Sequence, residues 1–140
     1  MAIEHLEHGA DLSLRITGAT AEEVLCEAAQ GLFASMLNVD AVELREAYAT
    51  CLEAPSHADL LVEWLSDLLA QKELSGLVFA SFAASIHQAG ARLVLDAVAF
   101  GERLDPNKHS SRIEVKGISY LGLEFRRVVS GWTARFVVDV

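Results

Sequence analysis

The groups in this chain with the clearest chemical potential are carboxylates. Asp11 follows His8-Gly9-Ala10 between two short apolar stretches, and Asp139 precedes Val140, whose α-carboxylate is expected to be held by a final strand instead of trailing on a tail. A fixed carboxylate is a candidate ligand for a hard cation, since such ions take oxygen donors. Taken alone, Asp11 reads as a turn residue bonding its own backbone and Asp139 as a solvated strand-end acid. Lys116 reads equally as a surface lysine on a strand and as a functional cation.

The remaining polar residues carry less. Cys26 and Cys51 belong to no metal-type or redox-type pair and read as small buried hydrophobes. His5, His8, His57, His87 and His109 are scattered, with no i, i+4 pair of the kind that holds zinc from a helix. His8 reads as a packing residue beside Asp11, and Glu63 as an acid snorkelling from an apolar helix. Asp105-Pro106 is a turn set by the fixed φ of proline, and Trp64 and Trp132 fall on apolar faces.

The elements that must position these groups follow from periodicity. Ile3 to Glu7 and Leu12 to Thr17 are expected strands, the second alternating Leu12, Leu14 and Ile16 with Ser13, Arg15 and Thr17. Thr20 and Glu23 have the spacing of a capping box, and Val24, Leu25, Ala28, Ala29, Leu32, Phe33 and Met36 form one helical face. Val42 to Glu53 is an expected strand ended by Pro55. Ser56 caps a second helix, apolar on most sides, that Gly76 stops. Leu77 to His87 and Arg92 to Phe100 form a hairpin about Gln88-Ala89-Gly90. Ile113 to Ile118, Tyr120 to Val129 and Trp132 to Val140 supply the last strands.

Early helices and late strands imply an α+β fold, with two helices packed on a mainly antiparallel sheet or a bent pair of sheets, in a single domain spanning residues 1–140. A hydrophobic fraction of 52% fits a folded core, and no apolar run approaches a membrane span. Glu4, Glu7 and Asp11 occupy the stretch where a secretory signal would need a basic start, so a cytoplasmic protein is expected. The net charge of -9 repels phosphate, so strong direct nucleic-acid binding is not expected. Any role in RNA chemistry should run through a protein partner.

The order of these segments resembles the archease family across essentially the whole chain. Leu6-Glu7-His8-Gly9-Ala10-Asp11 is similar to the family's opening motif, and Glu22 to Phe33 to its first helix. Asp59-Leu60-Leu61-Val62-Glu63-Trp64-Leu65 is similar to its central helix. Gly101-Glu102, Asp105-Pro106, His109 and Glu114-Val115-Lys116-Gly117-Ile118-Ser119-Tyr120 resemble its most recognisable stretch, and Asp139 its acidic C-terminus. Each motif is weak singly, and the order and spacing give them weight. The chain departs from the usual pattern at Gly9, Gly117, Ser119 and Leu121, and Gly9 puts in question how firmly the Asp11 loop is held.

The resemblance implies that Asp11, Asp139 and Val140 bind a cation, usually described as calcium. Clustered carboxylates repel one another, and a divalent ion is the simplest agent that holds them ionised; with few protein ligands, water would complete an open shell. It further implies that Lys116 is needed for activity and that the protein is not an enzyme. Its expected role is that of an accessory to the GTP-dependent, manganese-using RNA-splicing ligase of tRNA, promoting guanylylation and multiple turnover. The alternative is a free-standing calcium-binding or chaperone-like module without a ligase partner. A small metal-dependent hydrolase is a third class, for which the sequence supplies only distant candidate bases.

Overall fold

Leu12, Leu14 and Ile16 alternate with polar neighbours, and that alternation builds the first sheet. The computed structural model describes the backbone of residues 2–8 and 11–140, and the side chains of Ile3 and of residues 12–140. Strands β1 (Ala2–His8), β2 (Asp11–Gly18), β6 (Gly117–Val128) and β7 (Gly131–Asp139) form a four-stranded antiparallel sheet in the order β1-β2-β7-β6. Leu12 stands opposite Val138, Leu14 opposite Phe136 and Ile16 opposite Ala134, so one face is continuously apolar. Strands β3 (Glu46–Ala54), β4 (Leu77–Ala89) and β5 (Arg92–Arg103) form a second sheet in the order β3-β5-β4.

Two long helices, α1 (Ala21–Met36) and α2 (His57–Ser75), join the sheets, α1 packing on β2 and β4 and α2 on β3 and β6. Local chemistry fixes their ends. Thr20 Oγ1 accepts from Glu23 N–H at 3.1 Å, and Glu23 reaches back to accept from Ala19 N–H at 2.7 Å. Ser56 Oγ accepts from Asp59 N–H at 3.2 Å, and Gly76 ends α2 at φ 70°, a left-handed conformation that only glycine adopts freely. Trp64, fully buried, donates from Nε1 to Leu25 O at 2.9 Å and so ties the helices together with a hydrogen bond as well as packing. Phe33 and Phe79 meet edge to face, with ring centroids 5.5 Å apart, where α1 crosses β4.

The α+β expectation stands, with two sheets. Four local expectations need correction. The strand expected from Val42 begins at Glu46, because Asn38 Oδ1 caps a tight turn over Val39–Ala41 and the chain from 42 to 45 is engaged elsewhere. Ile113 to Ile118 is not a separate strand. Arg112 N–H and Ile113 N–H donate to Met36 O and Ser35 O at the end of α1, so the stretch is a strap, and sheet pairing starts only at Gly117. The loop at Asp105-Pro106 contains a short helix, α3 (Pro106–His109), with Asp105 as its cap. Cys51, expected to be buried, is exposed on β3 beside Asp96 of β5.

Candidate functional site

Strand order decides which of the predicted site residues meet. Because β2 and β7 are neighbours, the register sets Asp11 directly opposite Asp139, and β6 on the other side of β7 sets Gly117 opposite Asp139. Lys116 N–H donates to Asp139 O at 2.7 Å, which seats the lysine at the entry to β6. The backbone thus brings together Asp11, Lys116 and Asp139, with Val140 following at once; Val140 is 39% exposed. The Asp11 carboxylate and the His8-Gly9-Ala10 side chains lie outside the described residues.

Alternation puts Asp139 on the face of β7 opposite to Phe136 and Val138, toward solvent. A Cβ built on Gly117 would lie 3.8 Å from Asp139 Oδ2, so the carboxylate leans over a position where no side chain crowds it. Donors of this kind, oxygens only and with open space beside them, fit a hard divalent cation better than zinc, which takes sulfur and nitrogen. Among the described residues, no group of three or more His, Cys, Asp or Glu side chains is gathered as a metal site. Asp139 with the other described side chains alone does not make a cation site. The Lys116 and Asp139 side chains form no ion pair with any described residue.

The thiols have no nucleophilic character. Burial pushes Cys26 up to about 11, and a hydrogen bond to Asp96 raises Cys51.

A second polar cluster, which the sequence reading left without a role, lies at the far end of the strap. Glu102, at the end of β5 and 8% exposed, accepts at Oε2 from Glu43 N–H at 2.9 Å, from Lys108 Nζ at 2.8 Å and from His109 Nε2 at 2.9 Å. His109 is fully buried, and its Nδ1 accepts from Asp105 N–H at 2.9 Å, so the ring proton sits on Nε2 and points at the carboxylate. Arg45 donates from Nε to Glu43 at 2.7 Å, and Lys108 bridges Glu43 to Glu102. Above all the Glu43 backbone N–H, then Lys108 and His109, bring Glu102 down to about 2. Arg45 and then Lys108 lower Glu43 as well. Every charge here has a partner, and the result is a clamp. His109 O accepts from Asn38 N–H at 2.8 Å, and the chain then continues through the strap to Lys116. Asp105-Pro106 with His109 four residues on was the available signal, since an Asp cap with Pro at the first helical position starts a helix.

The sequence pattern of the archease protein family (MTH1598/TM1083) matches residues 3–140. The chain belongs to the archease family. It is 36% identical over 138 residues to the archease of Pyrococcus furiosus, covering 98% of this chain and 97% of that protein. It is 38% identical over 138 residues to the archease of Thermococcus kodakarensis, with the same coverage. The solution structure of protein 1598 from Methanobacterium thermoautotrophicum has the same fold, with a TM-score of 0.87 at 25% identity, covering 99% of this chain and 98% of that one. Family membership extends over both the Asp139 end and the clamp. None of the described helices is long and apolar enough to cross a membrane.

Proposed function

We propose that this archease is an accessory protein, not itself an enzyme, that activates the GTP-dependent RNA-splicing ligase by promoting its guanylylation and repeated turnover. The supporting observation is the three-strand register around Asp139, which in a family member sets Asp11 of β2 opposite Asp139 and seats the exposed Lys116 beside it, with the exposed Val140 next in the chain. In this reading the carboxylates of Asp11, Asp139 and Val140 hold calcium or another divalent cation. A bound cation of that kind neutralises the carboxylates and leaves coordination positions open to water, carboxylate or phosphate. Lys116, exposed and unpaired among the described residues, extends its ammonium toward the ligase's active site, where it helps to position the nucleotide. The acidic surface keeps the protein off bare RNA, so the ligase makes the RNA contacts in the cytoplasm.

The test is ligation with RNA in excess over ligase. Wild-type protein gives repeated turnover and faster guanylylation of the ligase, and Asp139→Ala and Lys116→Ala give neither while remaining folded. Full activation by both variants would refute the reading. Calcium binding with no effect on the ligase would favour the free-standing binding module.

A further inference from the structure

A cavity of about 510 Å³ lies between α2 and the end of the strap, beside Lys116. Its lining includes the apolar Leu69, Ala70 and Val115 and two exposed acids, Glu73 from α2 and Glu114 from the strap. The volume falls within the range of ligand sites, roughly 300–1,000 Å³. One side is α2 and the other the single stretch of chain from Glu114 to Gly117, an arrangement suited to an extended segment.

Three features define what would lie in it. The strap is tied by Arg112 and Ile113 at one end and Lys116 at the other; between these, the N–H groups of Glu114 and Val115 make no hydrogen bond among the described residues. Adjacent N–H groups of an extended stretch point to opposite sides, so one of these two donors is available to a strand added in the groove. Glu73 and Glu114 are exposed and form no ion pair among the described residues, unlike Glu43 and Glu102 in the clamp. An apolar lining with two unpaired acids matches a long basic side chain, which buries its methylene stem and leaves its charge to the acids. The groove is continuous with the candidate site through Lys116 and Gly117, which line it.

We propose that this groove receives an extended segment of the protein partner carrying an arginine or lysine, whose charge lies between Glu73 and Glu114. The inference rests on the ligase-accessory reading and adds a docking contact beside the cation-binding end. The groove sets affinity, whereas Asp139 and Lys116 set activation.

The experiment measures affinity of the purified RNA-splicing ligase for the full chain and for three variants, with thermal melts as controls. Ala70→Trp fills the groove from an exposed helix position, and the pair Glu73→Lys with Glu114→Lys reverses the charge of its two acids. Both are expected to weaken the complex by about tenfold or more, the scale of a lost central contact. The charge reversal should also flatten the loss of affinity with rising salt. A smaller loss in either variant overturns the proposal. Asp139→Asn should bind through the groove but fail to activate; if it activates fully, the proposed function falls while the groove result stands. If wild-type protein does not bind the ligase at all, both fall.

Discussion

The two ends of the strap between α3 and β6 treat charge in opposite ways. At the clamp, Glu102 and His109 are buried, and Glu43, Arg45, Lys108 and the Glu43 backbone satisfy one another. At the other end, Asp139, Lys116, Glu114 and Glu73 are exposed, with no ion pair among the described residues. Both ends lie within the family match. The difference shows that similarity over the whole chain mixes residues that serve the fold with residues left available for something outside it. Burial and pairing separate the two groups. A paired buried acid is costly to disturb, because removing one partner strands the other. An exposed unpaired charge contributes almost nothing to folding, so its replacement tests a role outside the fold.

The sharpest way to break this contrast is to mutate one residue at each end. Asp139→Ala or Lys116→Ala is expected to abolish ligase activation while leaving unfolding free energy within about 0.5 kcal/mol of wild type, as exposed substitutions do. Ligation turnover together with urea unfolding measures both quantities. His109→Ala should do the reverse. It removes a buried ring and leaves the Asp105 N–H without its acceptor, so it should destabilise by about 2–4 kcal/mol with activation per folded molecule retained. A His109 variant that is stable but inactive would erase the distinction.

Calcium sharpens the comparison at the exposed end. At a hundredfold excess over its dissociation constant, a ligand specific to the folded state stabilises by about 2.7 kcal/mol. The melting temperature should rise accordingly, and Asp139→Asn should cancel the rise. An unchanged melting curve in wild type at millimolar calcium would remove the cation site.

The smallest effect is acid sensitivity of the clamp. Glu102 is held at about 2, against 4.5 for its ordinary value, so the unfolded chain binds the proton more readily. Its contribution to stability is complete above about 4.5 and is lost as pH falls from there toward about 2. Unfolding of wild type and Glu102→Gln should therefore differ at pH 6 and converge near pH 2. Parallel pH profiles would show that the clamp does not carry this linkage.

Much of the fold was legible in short-range pattern. The Thr20/Glu23 capping box, the Ser56 cap, the Gly76 stop and the alternation through Leu12, Leu14 and Ile16 each encode an element in a few neighbouring residues, and each appears as read. Two of the misreadings share one cause. Val42 to Arg45 and Ile113 to Lys116 alternate well enough to pass for strand, but Glu43 and Arg45 N–H go to Glu102 and Gly101, and Arg112 and Ile113 N–H hold the strap to Met36 and Ser35, partners far away in sequence. Cys51 looked like core because its residue type usually is, yet it lies on the outer face of β3.

By itself the sequence determined the two long helices, most strands, the α+β class and the acidic residues worth watching, because caps, turns and periodicity act over a few residues. Only the tertiary structure decided that Asp11, Gly117 and Asp139 share one rung, that Glu102 and His109 are hydrogen-bonded, and that Glu73 and Glu114 line one cavity. Strand order and helix docking set those neighbours. They depend on how the whole core buries its apolar faces, and no local stretch of chain carries that information.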